Sequence, residues 1–229
     1  MIIGISQNVI CGEFRNSDGL EHDYYTLFSS LGVQLLPFPN QPLEINTYLE
    51  QFSPKRIILS GGNDIIPNNN SEISTDCKTK IIQRGETESK LLEYAMKNDV
   101  PVLGICRGMQ YINMYFKGNL HCDLEGEIDI LNHIASTHDL KIVDSEAKIF
   151  FGDSYNVNSF HNQGIKKGDL AKRLKSFAET SDGVIEGIYH PTYPIVGIQW
   201  HPERINSDVN KDKQLMQAFL NRGLYWEKK

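Results

Sequence analysis

Short apolar runs and segments of helical periodicity alternate along the first half of the chain. The apolar runs have the length of buried strands, and the segments between them repeat apolar residues at the spacing of one helical face. Strands are expected at residues 1–6, 33–38 and 56–62, and in the apolar run that begins at Val100. Helices are expected at 20–31, around 45–52 and at 86–97. This alternation favours a parallel sheet covered by helices on both faces.

The second half of the chain is richer in strand patterns. Strands are expected at 157–161, 183–189 and 195–200, and a last helix around 215–220. The polar stretch 63–80 has little periodicity and predicts a solvated surface loop, with a mobile flap as the alternative. The predicted fold class is α/β: a mostly parallel central sheet flanked by helices, with a small additional β region. Residues 1–229 are expected to form a single domain.

The stretch from Val100 to Phe116 joins a buried strand to a helix through a sharp turn at Cys106. A nucleophile on such an elbow has a strained backbone, and side chains two residues before and after it would collide. Gly104 and Gly108 remove those side chains. The start of the helix also favours a thiolate, because unpaired N–H groups and the helix dipole stabilise negative charge. The pattern predicts a reactive cysteine, with a buried structural cysteine as the alternative.

A histidine and a glutamate follow the last predicted strand. His201 and Glu203 flank Pro202, and their spacing in an extended chain directs both side chains to one face. An imidazole can carry a proton between a thiol and a leaving amine, while a carboxylate fixes its tautomer. Without the elbow cysteine, a His-Pro-Glu sequence is more often a solvated loop corner. His161 is the other candidate for the catalytic histidine. Combined with the elbow, it predicts a triad of Cys106, His201 and Glu203.

Composition and charge argue against several classes of binding partner. A formal net charge of −6 argues against a nucleic-acid-binding surface. No apolar run has membrane-spanning length, and the first residues lack the basic flank of a signal peptide. Cys11, Cys77, Cys106 and Cys122 show neither metal-binding nor disulfide-framework spacing, which predicts free thiols in a reducing compartment. We therefore expect a cytoplasmic protein with no metal and no nucleic-acid or membrane partner.

Several motifs resemble a known superfamily. The sequences GICRGMQ at 104–110 and QWHPE at 199–203 resemble the class I glutamine amidotransferase-like superfamily, whose fold is flavodoxin-like. Within this superfamily, four further segments resemble the gamma-glutamyl hydrolase (peptidase C26-like) branch. They are residues 60–67, 119–124, 157–163 and 182–186. The likeness covers nearly the whole chain in order.

The resemblance implies a reaction and a set of site residues. Cys106 would attack the gamma-carbonyl of a glutamyl amide to form a gamma-glutamyl thioester, with His201 moving the proton and Glu203 orienting it. The backbone N–H groups of Gly62 and Arg107 would form the oxyanion hole. The residues implied to bind substrate are Gln110, Asn158, Ser159, Phe160 and His161. The alternatives are a helix-surface amide for Gln110 and a hydrogen-bonded strand edge for Ser159 and His161.

The resemblance also implies a small-molecule gamma-glutamyl conjugate as substrate and no cofactor. Within the branch, the overall sequence favours a gamma-glutamyl-CDP-amidate, used in modifying capsule polysaccharide. Five basic residues could meet its diphosphate, although a solvated helix face is the more common role of such residues. They are Lys166, Lys167, Lys172, Arg173 and Lys175.

Two other functions stay open from the sequence. The chain could be the glutaminase subunit of an amidotransferase, delivering ammonia to a separate synthetase, since it has no synthetase domain of its own. It could also be a catalytically idle binding module, although all three triad residues are present. A homodimer is compatible with either function.

Overall fold

Ten strands of the described chain form one sheet, and five neighbouring strands of that sheet run parallel. The computed structural model describes residues 1–65, 74–124, 131–204 and 209–227. The strands are β1 (Ile2–Ser6), β2 (Asn8–Cys11), β3 (Asn16–Gly19), β4 (Gln34–Phe38), β5 (Arg56–Leu59), β6 (Val102–Ile105), β7 (Ser136–Ile142), β8 (Ser154–Ser159), β9 (Ile165–Lys166), β10 (Lys175–Glu179), β11 (Val184–Tyr189) and β12 (Ile195–Ile198). The helices are α1 (His22–Ser30), α2 (Ile45–Phe52), α3 (Thr75–Asn98), α4 (Arg107–Tyr115), α5 (Ser145–Phe151) and α6 (Val209–Asn221), followed by a 3₁₀ turn at Leu224–Trp226.

The sheet has a parallel part and an antiparallel part. Strands β4, β1, β5, β6 and β12 lie side by side in parallel, and β11, β10, β7 and β8 continue the sheet in antiparallel pairing, with β9 beside β11. Buried apolar residues form two main clusters, one shared with α1, α5 and α6 and the other with α2, α3 and α4. This confirms the predicted α/β class, with the β2–β3 hairpin as a separate small antiparallel sheet.

Helix α3 begins earlier than the sequence pattern indicated. The prediction started this helix at residue 86, whereas the structure starts it at Thr75, so residues 75–80 of the predicted polar loop are helical. Ser74 caps the helix by accepting a hydrogen bond from the Cys77 N–H at 3.2 Å. The only buried apolar residues of the early turns, Cys77 and Ile81, pack on Val9 of the hairpin and are too sparse to show a period. Residues 66–73 of the predicted loop or flap lie outside the described residues.

The basic stretch in the second half is not a helix face. Lys166 ends β9 and Lys175 begins β10, and the residues between these two strands form turns. Several strand boundaries also move: β5 ends at Leu59 rather than at residue 62, β8 covers Ser154–Ser159 rather than 157–161, and β12 ends at Ile198 rather than at residue 200. The elements that were not predicted are strands β2, β3, β7, β9 and β10 and helix α5.

Two of the four cysteines form a disulfide, so the prediction of four free thiols is wrong. The hairpin places Cys11 against the first turn of α3, with a Cα–Cα distance of 5.7 Å to Cys77, inside the usual range for a disulfide. The sequence separation of 66 residues hid this pairing, because only the hairpin brings the two segments together. Cys106 and Cys122 are free, the former buried and the latter exposed. In the described ranges, no helix combines the length and apolar character needed to cross a membrane.

The parallel strands bring several chain segments to one edge of the sheet. Gly104 of β6 pairs with Leu59 of β5 on one side and with Gly197 of β12 on the other. Carboxyl ends of parallel strands meet at one edge, where α/β proteins bind their ligands. Cys106 therefore lies beside the end of β12, and its N–H donates to the Ile198 carbonyl at 2.8 Å.

Candidate active site

Cys106 occupies the strained elbow that the glycine pattern predicted. Its backbone has φ 51° and ψ −106°, outside the conformations that a side-chain-bearing residue normally adopts. A Cβ added to Gly104 would lie 2.5 Å from Ile112 Cδ1, and one added to Gly108 would lie 2.1 Å from the Leu59 carbonyl oxygen. Both glycines are thus required by close approach, and the collision at Gly108 would be with the neighbouring strand β5.

His201 and Glu203 form a short hydrogen-bonded pair in the turn after β12. The distance from His201 Nδ1 to Glu203 Oε1 is 2.6 Å. Because a carboxylate only accepts hydrogen bonds, Nδ1 carries the proton and Nε2 is left for the thiol. Burial lowers the pKa of His201, but the charges of Glu203 and Cys106 outweigh it and raise the pKa to about 10. The imidazole is therefore held as an imidazolium beside the sulfur.

The Asn158 side chain holds the backbone of His201. The Asn158 amide donates to the His201 carbonyl at 2.8 Å, and its oxygen accepts from the His201 N–H at 2.9 Å. Both ends of the amide thus bond to His201, and the substrate-binding role predicted for Asn158 stays a prediction. Strand β8 therefore fixes the position of the catalytic histidine candidate from a different part of the chain.

Gln199 contacts the sulfur, a contact that the sequence analysis missed. Its amide donates to Cys106 Sγ at 3.4 Å. Gln110, predicted to bind substrate, donates to Gln199 Oε1 at 3.2 Å and to the Gln163 carbonyl at 2.8 Å. The Gln110 amide thus orients Gln199 from helix α4. Gln199 lies in the QWHPE motif, but its side-chain direction depended on the elbow and could not be read from the motif.

The two backbone N–H groups predicted to form the oxyanion hole lie in the turn after β5 and at the start of α4. Gly61 N–H donates to the Tyr24 hydroxyl at 2.9 Å and so is already bonded. The N–H groups of Gly62 and Arg107 have no hydrogen-bond partner among the described residues. A Cβ on Gly61 would lie 2.9 Å from His201 Cε1, so only glycine allows this turn to approach the imidazole. Tyr24, which holds the turn, was predicted only as an apolar helix position.

A buried charge network supports the Gly61–Gly62 turn from behind. Glu88 Oε1 accepts from Arg84 Nε at 3.0 Å, and its other oxygen pairs with Arg107. Arg84 also donates to the Ser60 and Gly61 carbonyls, at 2.7 and 2.8 Å. Burial alone would raise the pKa of Glu88, but Arg107 and Arg84 lower it below its usual value. The spacing of Arg84 and Glu88 on one helix suits an ion pair, but nothing in the sequence linked that pair to the turn.

We expect Glu88→Gln to destabilise the fold by about 3–5 kcal/mol, because it leaves two buried guanidinium groups without a negative charge. Urea denaturation near neutral pH measures this change. The matched control is Glu86→Gln, an exposed carboxylate two residues earlier in α3, which should unfold like the parent protein. Equal unfolding midpoints for the two variants would contradict this account of the network.

The segment predicted to bind the substrate lies beside the imidazole. Phe160 is 41 % exposed, and its ring meets the His201 ring edge-to-face at 6.0 Å between centroids. Ser159 is fully buried and donates to the His133 carbonyl at 2.8 Å. His161 is also buried, with Nδ1 2.9 Å from the Gln163 carbonyl. Of these three side chains, only Phe160 is open to solvent, and substrate contact by the other two stays a prediction.

Comparisons with known proteins identify the family. The family model described as peptidase C26 matches residues 2–203. The putative glutamine amidotransferase-like protein YvdE of Lactococcus lactis is 31% identical over 207 residues, covering 86% of each chain. The gamma-glutamyl-CDP-amidate hydrolase of Campylobacter jejuni is 32% identical over 211 residues, covering 90% of this chain and 92% of that protein.

A solved structure supports the fold independently. The glutaminase domain of Trypanosoma brucei CTPS superposes with a TM-score of 0.67 at 16% identity, covering 100% of this chain and 97% of that one. At this identity, the likeness shows the shared fold alone. The family match covers both the elbow and the His201–Glu203 turn. The chain therefore belongs to the peptidase C26 family of glutamine amidotransferase-like proteins.

Proposed function

We propose that the chain is a cysteine-dependent hydrolase that cleaves the gamma-glutamyl amide bond of a small conjugate and releases glutamate. The observation that carries this proposal is the elbow cysteine beside a histidine whose Nδ1 is bonded to Glu203 at 2.6 Å. A Cβ on Gly61 would lie 2.9 Å from His201 Cε1 and 3.7 Å from Cys106 Cβ, so both side chains lie against the same turn. The unpaired N–H groups of Gly62 and Arg107 supply the oxyanion site. A glutamine amidotransferase-like hydrolase acting on amide bonds fits the family as a whole.

In the first half of the reaction, the Cys106 thiolate attacks the gamma-carbonyl carbon and forms a C–S bond. The negative charge that develops on the carbonyl oxygen is stabilised by the N–H groups of Gly62 and Arg107. The imidazolium of His201 then protonates the leaving nitrogen, the C–N bond breaks, and the amine departs. A gamma-glutamyl thioester on Cys106 and a neutral His201 remain.

In the second half, water replaces the amine. Neutral His201 takes a proton from the water as its oxygen attacks the thioester carbonyl. The C–S bond then breaks, which releases glutamate and regenerates the thiolate and the imidazolium. Glu203 keeps Nδ1 protonated throughout, so that Nε2 handles the proton in both halves. The Gln199 amide also donates a hydrogen bond to the sulfur.

For the leaving group, we favour cytidine diphosphoramidate, released from gamma-glutamyl-CDP-amidate. The support is the likeness to the Campylobacter jejuni enzyme over 90% of this chain. The basic residues Lys172, Arg173 and Lys175 are exposed and could meet a diphosphate. An amide-linked nucleotide of this type would place the reaction in capsule biosynthesis.

The test is turnover by the purified full-length chain of three substrates: gamma-glutamyl-CDP-amidate, a gamma-glutamyl alkylamine and glutamine. Release of glutamate gives kcat/KM for each. We expect the nucleotide conjugate to exceed glutamine by at least about 100-fold. Preference for the gamma-glutamyl alkylamine would support the hydrolase function and refute the nucleotide conjugate as the substrate. Glutaminase activity that rises only when a synthetase is added would instead identify the chain as part of an amidotransferase complex.

A further inference from the structure

Three histidines and a glutamate form a buried cluster next to the segment 159–161. His133 precedes β7, His138 lies on β7, His161 follows β8, and Glu186 lies on β11. All four side chains are buried, with Glu186 at 0% exposure and none of the histidines above 6%. The mechanism proposed above uses none of these ring nitrogens. The cluster therefore calls for an explanation of its own.

The polar atoms that face one another in this cluster make no hydrogen bonds. His133 Nδ1, His138 Nε2 and both Glu186 oxygens lack a hydrogen-bond partner among the described residues. His133 Nδ1 lies 3.7 Å from Glu186 Oε1, and His138 Nε2 lies 3.7 Å from Oε2. These distances are too long for hydrogen bonds. Buried polar groups left in this way are costly unless a water molecule, an added proton or a metal ion joins them.

Neighbouring residues already set the tautomer of one of these rings. His133 Nε2 lies 3.1 Å from Asp182 Oδ2, so the N–H is on that side and the Nδ1 lone pair faces Glu186. A lone pair and a carboxylate oxygen repel each other unless a cation lies between them. Metal-binding histidines commonly donate a hydrogen bond from the N–H of their second ring nitrogen to a carboxylate in this way.

We propose that His133 Nδ1, His138 Nε2 and the Glu186 carboxylate bind a divalent transition-metal ion, with Zn²⁺ as the best-suited ion. The three ligand atoms all lie within 4.8 Å of one another. Ligands about 2.0–2.2 Å from a tetrahedral Zn²⁺ are about 3.3–3.6 Å apart, close to the two separations measured here. Two imidazoles and one carboxylate are a ligand set that Zn²⁺ accepts. Sequence spacing had indicated no metal, since the ligands come from three separate segments.

The metal would hold together the elements that support the site. The His133 carbonyl accepts from Ser159 Oγ at 2.8 Å and from the His161 N–H at 2.9 Å. His161 Nε2 lies 3.3 Å from Glu186 Oε1 and would orient that carboxylate. Fixing His133 and His138 against Glu186 thus fixes the strand whose Asn158 holds the catalytic histidine. The proposed role is structural, and it stands whether or not the substrate is a gamma-glutamyl compound.

The test measures Zn²⁺ bound by the full chain after chelator treatment and reloading with Zn²⁺ alone. A Cys106→Ala background removes the active-site thiol, which is a competing ligand. We expect about one Zn²⁺ per chain and a higher thermal unfolding midpoint with metal than without. The nearly isosteric Glu186→Gln and the truncation His138→Ala should both lose the ion. Asp182→Asn, which acts through His133, should weaken binding about 10- to 100-fold.

His190→Ala is the matched control, because His190 is a buried histidine outside the cluster whose ring accepts backbone N–H groups of its own turn. This variant should keep the full Zn²⁺ content. Equal Zn²⁺ binding in the parent chain and in Glu186→Gln would overturn the proposal, as would no binding in either. Either result would indicate that protons or water, and not a metal ion, satisfy the polar atoms of the cluster.

Discussion

Cys106→Ala is expected to lower gamma-glutamyl amide hydrolysis by at least about 10⁴-fold, with no glutamyl thioester detectable by mass spectrometry of the intact chain. The reason is chemical: the elbow positions one sulfur against His201, and alanine supplies no nucleophile. Backbone strain at the elbow does not depend on the thiol, so the variant should fold normally. Glutamate release under saturating substrate, compared with that of the parent protein, measures the loss.

Cys122→Ala is the control for the nucleophile. Cys122 is also a free cysteine, but it is exposed and lies outside the elbow. Its replacement should leave kcat and KM within about twofold of the parent values. Substantial turnover by Cys106→Ala, or a thioester found on Cys122, would refute the assignment of the nucleophile.

Glu203→Gln is expected to lower kcat by about 10³- to 10⁴-fold while the fold is retained. An amide can present its NH₂ group to Nδ1, which would hold His201 as the neutral tautomer with its proton on Nε2. That tautomer could neither stabilise the thiolate as an imidazolium nor take a proton from the attacking water at Nε2. The control is Glu21→Gln, since Glu21 is an exposed carboxylate that pairs with Arg204 at 2.9 Å. A kcat close to that of the parent would show that Glu203 does not orient His201.

The same substitution should change the pH dependence of stability. The pKa of folded His201 is about 10, above its ordinary value of 6.5. Its contribution to the free energy of unfolding is therefore fully present below pH 6.5 and is lost as the pH rises through 10. Glu203→Gln removes a charge that raises this pKa. The stability difference between parent and variant should be largest near pH 6 and should narrow towards pH 10, as measured by denaturation across that range.

Much of the parallel core was predictable because its signals are local. Strands β1, β5 and β6 are short apolar runs, and the helices that follow them carry their apolar residues at regular spacing. The elbow was also predictable, since Gly104 and Gly108 are needed for contacts within a few residues or with the adjacent strand. Helix α3 was predicted in part, because its second half packs on the sheet whereas Cys77 and Ile81 of its first turns pack on Val9 of the hairpin.

Predictions failed where distant segments decide the structure. The Cys11–Cys77 disulfide depends on a hairpin that the sequence analysis did not find. The hydrogen bonds between Asn158 and the backbone of His201, 43 residues away, were not predicted, while substrate binding by Asn158 stays a prediction. The sequence around each of these residues does not indicate the contact, because the same amide or thiol side chain could equally be exposed to solvent.

The sequence by itself determined that this chain builds an α/β sheet and sets a cysteine on a strained turn ahead of a His-Pro-Glu turn. Apolar periodicity and glycine placement act over a few residues, so they can be read without the fold. Only the tertiary structure decided the contacts of the polar side chains: Gln199 on the sulfur, Glu88 behind the Gly61–Gly62 turn, and the histidines around Glu186. These contacts join strands and helices far apart in sequence, and their geometry exists only after the sheet has assembled.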